Sequence, residues 1–127
     1  MQFYKCDRCG NFVVFLKDKT PCTPECCGDT MTEVKPNTSD GAFEKHVPEV
    51  TIEGQTVKVQ VGSVMHPAVE EHHIEFIILE TDKGFQKRDI PVGSDPVAEF
   101  VLAEGEKAVA VYENCNLHGF WKKELLS

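Results

Sequence analysis

Five of the chain's six cysteines, Cys6, Cys9, Cys22, Cys26 and Cys27, fall within its first 27 residues, and no other feature restricts the fold more. A segment this short buries too little apolar surface to hold a core unaided, so a cross-link is required. The opening residues Met1-Gln2-Phe3-Tyr4-Lys5 carry no basic stretch followed by an apolar one, and the apolar run over residues 12–16 is too short for an export signal. No run approaches the roughly 18 apolar residues that cross a bilayer. The expected compartment is therefore the cytoplasm, without membrane association. In a reducing compartment cysteines hold metals more readily than they form disulfides.

Cys6-Asp7-Arg8-Cys9-Gly10 reads as a metal knuckle. Two thiolates with two residues between them share one ion, and Gly10 relaxes the turn. Cys26-Cys27 completes a four-thiolate tetrahedral set, although spacing alone does not exclude Cys22 with Cys26 as the second pair. Soft sulfur donors suit zinc or a single iron, and spacing does not choose between them. A cysteine left over is a surface thiol.

The segment Pro36-Asn37-Thr38-Ser39-Asp40-Gly41 is turn-forming and marks a boundary. It divides the chain into a metal-stapled head, residues 1–36, and a body, residues 37–127. The head should contain a short strand over residues 11–16. In the body, strands are expected over residues 49–53, 56–61, 74–80, 85–90, 97–102 and 108–113, with a last one over 120–125. Gly54-Gln55 forms a two-residue hairpin turn between the first two. The fold class is all-β, with no helix-period stretch and no internal repeat. About seven short strands at regular spacing point to an immunoglobulin-like β-sandwich.

Charge divides the same way. Residues 1–36 hold five basic and five acidic side chains, so the formal net charge of −8 belongs wholly to the body. Nucleic acid is excluded as a partner, because neutralising phosphates needs a basic patch. An anionic substrate would need a local positive feature to draw it in.

All five histidines, His46, His66, His72, His73 and His118, follow residue 40, and the sixth cysteine, Cys115, precedes His118 by three positions. They sit at expected strand ends or in loops, and a sandwich gathers its loops at its two ends, so they can converge on one ion. Adjacent residues of an extended segment point to opposite faces. His72 shares parity with Ile74, Phe76 and Ile78, the apolar face, and is taken as the ligand; His73 shares parity with Glu75 and is a solvated residue. Four imidazoles and one thiolate exceed zinc's usual four donors, and so indicate a redox metal with one place left open. A copper electron-transfer site needs only two histidines, and an axial methionine. The methionines here are Met1, Met31 and Met65, and none follows His118.

These segments together resemble desulfoferrodoxin, the two-iron class of superoxide reductase. The resemblance rests on Tyr4-Lys5-Cys6-x2-Cys9-Gly10-Asn11, Cys26-Cys27-Gly28, Asn37-Thr38-Ser39-Asp40-Gly41, Glu44-Lys45-His46-Val47-Pro48, Gly62-Ser63-Val64-x-His66-Pro67 and Cys115-Asn116-Leu117-His118-Gly119-x-Trp121. It covers essentially the whole chain. It implies a desulforedoxin-like head with iron on Cys6, Cys9, Cys26 and Cys27, zinc being the alternative there. It also implies an iron in the body on four equatorial histidines, His46, His66, His72 and His118, with Cys115 axial. The implied activity is the one-electron reduction of superoxide to hydrogen peroxide, a detoxification reaction of anaerobes. Lys45 would draw in the anion and Glu44 would help expel the product. A rubredoxin-like protein would be the external electron donor, and the chain would be a homodimer. The alternative is a two-centre electron carrier without substrate turnover. Three positions depart from the family: Cys22 is extra, His73 replaces a frequent Tyr, and Phe76 a frequent Trp.

Overall fold

The computed structural model of the chain describes residues 1–39 and 41–125, so Asp40 of the linker motif and residues 126–127 lie outside the described residues. Two compact units emerge, Met1–Lys35 and Pro36–Ser127.

The first unit is built from β1 (Phe3–Lys5), β2 (Phe12–Val14), β3 (Glu25–Cys26), β4 (Asp29–Thr30) and β5 (Thr32–Glu33). The order β2-β1-β5 makes one small antiparallel sheet, and β3-β4 a separate hairpin. The expected strand over residues 11–16 is β2, shortened to three residues; β1, which sequence pattern did not reveal, is the strand it needs as a partner. Phe3, 3% exposed, packs its ring 6.0 Å from that of Phe12. The knuckle between β1 and β2 closes through Gly10 N–H to Cys6 O (3.0 Å) and Cys6 N–H to Asn11 O (2.8 Å), and Gly10 takes φ +83°. Cys27 (φ +54°) and Gly28 (φ +80°) form the two-residue loop of the β3-β4 hairpin. Two left-handed residues in succession are what a type I′ turn requires.

The second unit opens with one helical turn, α1 (Phe43–His46), followed by β6 (Pro48–Glu53), β7 (Thr56–Val61), β8 (Ile74–Thr81), β9 (Gly84–Asp89), β10 (Val97–Val101), β11 (Ala108–Cys115) and β12 (Gly119–Glu124). These seven strands, among the described residues, form two antiparallel sheets of order β10-β7-β6 and β12-β11-β8-β9. The chain moves between sheets at β7→β8, β9→β10 and β10→β11, the Greek-key winding of an immunoglobulin-like sandwich. Alternation explains β7 directly: Val57, Val59 and Val61 are buried while Lys58 is exposed. These valines share one core with Ile74, Ile77, Leu79, Phe100, Val111 and Cys115 from the other strands.

Two β-bulges modify the larger sheet. Asn114 opposes Phe76 but Cys115 opposes Ile74, which leaves Glu75 as an extra residue; Val109 is extra in β11 in the same way. A bulge inverts side-chain parity along its strand. Ile74 therefore joins Ile77 and Leu79 in the core. Phe76, by contrast, turns to the opposite face, 6.5 Å from Phe120, where Tyr112 stacks on Phe120 at 5.4 Å. The continuous apolar face expected from His72 through Ile78 thus divides at Glu75.

Candidate metal centres

One end of the sandwich collects the start of β6, the end of β7, the start of β8, the end of β11 and the start of β12. His46 closes α1 just before β6, His66 and His72 lie in the β7–β8 connection, Cys115 ends β11, and His118 sits in the β11–β12 turn. The donor atoms of these five residues all lie within 4.8 Å of one another. Neighbouring rings in the circuit His46, His66, His72, His118 have centroids 4.5–4.9 Å apart and interplanar angles of 76–88°. His46 and His72, across the circuit, are 6.3 Å apart. Four imidazoles therefore stand edge to face around a common axis, with Cys115 Sγ 3.3 Å from His66 Nε2 as a fifth donor.

The tautomers follow from carbonyl partners. His46 Nδ1 is 2.8 Å from Ala42 O and His66 Nδ1 is 2.8 Å from Pro67 O. A carbonyl only accepts, so Nδ1 carries the proton in both rings and Nε2 is left with a lone pair. Those two Nε2 atoms face each other at 3.2 Å, and His118 Nδ1 approaches His46 Nε2 at 3.1 Å. His72 Nε2 is buried with no hydrogen-bond partner among the described residues. Burial lowers the pKa values of His46 and His72 and takes His66 to about 4, so these rings stay neutral at pH 7. Ring nitrogens converging at 3.1–3.2 Å on neutral imidazoles, with that of His72 lacking a partner among the described residues, are an arrangement that a cation resolves.

Burial pushes the Cys115 thiol up, against backbone N–H groups of His118 and Leu117 that favour its thiolate. A bound cation would reverse that balance and deprotonate it. His46 and His66 are buried, whereas His72 and His118 are half-buried, which opens the cluster on their side. Glu44 and Lys45 are exposed on α1, and the Lys45 charge contributes to the lowered pKa values of His46 and His72.

The structure brings His72 into the cluster by a route different from strand parity. His72 precedes β8 and lies in a tight turn, where Val69 and His72 exchange N–H···O bonds of 3.1 Å in both directions. His73 points elsewhere, with Nδ1 2.9 Å from Glu70 O and 3.1 Å from Val69 O.

In the head, the sulfur atoms of Cys6, Cys9, Cys26 and Cys27 also lie within 4.8 Å of one another, with Cys9 and Cys26 3.5 Å apart. Cys22 is exposed and outside this group, its N–H bonded to Thr20 Oγ1 at 3.3 Å. Backbone N–H groups of Cys9 and Arg8 lower the Cys6 pKa to about 6. Hydrogen bonding to Cys9 and Cys6 leads the effects that push Cys27 up to about 12. Four crowded thiols cannot all ionise unless a cation balances them. Asn11 Nδ2 donates to Cys26 Sγ at 3.6 Å, and Arg8 pairs with Asp29 at 2.6 Å, tying the knuckle to the hairpin.

Three residues around the body cluster had no role in the sequence reading, although Gly62 and Trp121 stand within its motifs. Glu113 is fully buried, both carboxylate oxygens lack a hydrogen-bond partner among the described residues, and burial raises its pKa well above the usual value. Its signal was available: an acid on the core-facing parity of β11, between Val111 and Cys115. Gly62 packs against the backbone of Glu44, Lys45 and Val47. Trp121 lies nearly parallel to the His46 ring, with centroids 4.9 Å apart, and donates Nε1–H to His118 O at 3.1 Å. Among the described residues, no helix is long and apolar enough to cross a membrane.

Comparison with known proteins agrees with this geometry. Residues 38–124 match the family model for desulfoferrodoxin. A desulfoferrodoxin of Nitratidesulfovibrio vulgaris is 46% identical over 123 residues, 97% of this chain and 95% of that one. A superoxide reductase of Pyrococcus furiosus is 32% identical over 114 residues, covering 68% of this chain and 90% of the relative. The crystal structure of the superoxide reductase from Treponema pallidum superposes with a TM-score of 0.81 at 34% identity, covering 97% of this chain and 98% of that one.

Proposed function

The chain belongs to the desulfoferrodoxin family, and from that premise we propose that it reduces superoxide by one electron to hydrogen peroxide at an iron site in its body. The observation that carries this reading is the circuit of four imidazoles with Cys115 as fifth donor. His46, His66 and His72 would offer Nε2, His118 Nδ1 and Cys115 its thiolate, while Cys6, Cys9, Cys26 and Cys27 would hold a second iron, or zinc, in the head. The chemistry a ferrous ion supplies there is one electron, with superoxide and two protons leaving as hydrogen peroxide.

The chain's own residues prepare that chemistry. The rings of His46, His66 and His72, kept neutral by burial, would contribute lone pairs without charge, and the Cys115 thiolate would offset only part of a divalent ion's charge, leaving the sign that draws an anion. Sulfur donation from Cys115 would tune the redox balance of an ion held there. Lys45 adds a positive charge on an exposed turn of a body whose net charge is strongly negative. Glu44 on the same turn is assigned product release. The head, residues 1–36, is assigned as a desulforedoxin-like relay or staple, and the body, residues 37–127, as the superoxide reductase domain. A rubredoxin-like protein is the proposed electron donor, the homodimer the proposed working form, and the reducing cytoplasm the proposed compartment.

Rapid mixing of the reduced, iron-loaded chain with superoxide tests the reading. One peroxide per superoxide consumed, without dioxygen, supports it. Half an equivalent of dioxygen would indicate dismutation instead, and no accelerated loss of superoxide would indicate an electron carrier.

A further inference from the structure

Four of the five body donors have visible anchors. His46 and His66 are fixed by Nδ1–H bonds to Ala42 O and Pro67 O. Cys115 is the last residue of β11, and His118 is held by its N–H to Cys115 Sγ at 3.4 Å and by Trp121 Nε1–H on its carbonyl. His72 differs. Its Nε2 has no hydrogen-bond partner among the described residues, and its turn, bridged between Val69 and His72, belongs to no strand. Asn116, between Cys115 and His118, ties that turn to the rest of the cluster. Asn116 Oδ1 accepts from His73 N–H at 2.8 Å, its Nδ2 donates to Glu71 O at 3.0 Å, and its backbone N–H donates to His73 O at 3.1 Å. These bonds grip the residues immediately before and after His72.

Resting on the reading that the body cluster holds iron, we propose that Asn116 is a positioning residue: its side-chain amide sets the His72 ring against the other four donors. The donor and acceptor ends of one amide fix both flanks of His72, so the ring's height and tilt are inherited from the β11–β12 turn that carries Cys115 and His118. Residues that orient metal ligands typically change metal affinity by about 10- to 100-fold when removed.

The test measures ferrous-ion affinity of the body centre in the full chain by competition with a chelator, with the head centre's iron as internal reference. Asn116→Ala should weaken body affinity by about 10- to 100-fold and leave the head unchanged. Asn116→Asp, which keeps the acceptor for His73 N–H and loses the donor to Glu71 O, should lie between the two, and it carries the test if the alanine variant does not fold. If Asn116 acts through His72, Asn116→Ala added to His72→Ala should cost no more than about threefold further, whereas a general stabilising role would multiply the two losses. Unchanged affinity in both Asn116 variants, or multiplied losses in the double variant, overturns the proposal alone. A wild-type chain that takes up no ferrous ion beside Cys115 overturns it together with the iron reading.

Discussion

Gly62→Ala should displace the turn that carries Glu44, Lys45 and His46, and the structure sets the size of the effect. A Cβ at position 62 would lie 2.7 Å from Glu44 O, 2.9 Å from Val47 O and 3.0 Å from the carbonyl carbon of Lys45. All three are backbone atoms, so no side chain can rotate away. Ordinary contact begins at 3.4 Å, so relief requires a shift of about 0.7 Å, a displacement on the scale at which overpacking costs about 1–3 kcal/mol. The same shift lengthens the bonds from Val64 N–H (2.8 Å) and Ser63 Oγ (3.3 Å) to Glu44 O. In a domain of this size each kcal/mol lowers the midpoint by roughly 4–8 °C. Because His46 moves with the turn, the rate of superoxide reduction should also fall, by up to about 100-fold for a misplacement approaching 1 Å. Thermal unfolding of the metal-free chain and rapid mixing of the iron-loaded chain measure the two effects. A midpoint within 1 °C of wild type, with an unchanged rate, would refute the close-packing argument.

Three further outcomes are expected. Lys45→Ala should slow superoxide capture and flatten its dependence on salt, while Lys45→Arg should keep both, since attraction of an anion over distances near the Debye length of about 8 Å is screened by added ions; an unchanged salt slope in Lys45→Ala would remove Lys45 from anion steering. The folded-state pKa of His66 is about 4 against an ordinary 6.5, so on acidification the unfolded chain binds the proton first. Stability of the metal-free chain should therefore hold above pH 6.5 and fall between there and about pH 4, by up to about 3 kcal/mol from His66; equal urea midpoints at pH 7 and 4.5 would contradict this. Glu113 has the opposite sign: as pH rises past 4.5 the unfolded carboxyl ionises while the folded one stays protonated, so stability is drawn down. Glu113→Leu should stabilise the metal-free chain at pH 7 by about 1–3 kcal/mol, the usual cost of an unpartnered buried polar group, and a lower urea midpoint would show that Glu113 is better satisfied than its surroundings imply.

Much of the fold was legible where one strand carries its own signal. The alternation of Val57, Val59 and Val61 and the Gly54-Gln55 turn define β6 and β7 without reference to the rest of the chain. The convergence of His46, His66, His72, Cys115 and His118 was legible because strand ends in a sandwich gather, so residues distant in sequence at such ends become neighbours. Parity reasoning about His72 broke down for an identifiable reason. The Glu75 bulge inverts the faces of β8, and His72 sits in a turn before the strand begins. The two-residue strands β3 and β4 were invisible because their pairing follows from the Cys27-Gly28 turn and not from any run of side chains. Asn116 and Gly62 act through contacts between segments far apart in sequence, such as Asn116 with Glu71, and neither periodicity nor composition encodes such pairs.

Anomalous diffraction at the iron absorption edge, from crystals of the iron-loaded chain, tests the central claim most directly. The account predicts one iron bonded to His46, His66, His72, His118 and Cys115, with a place beside it open to solvent in the reduced state. Iron found only among Cys6, Cys9, Cys26 and Cys27, or a body ion enclosed on every side, would contradict it.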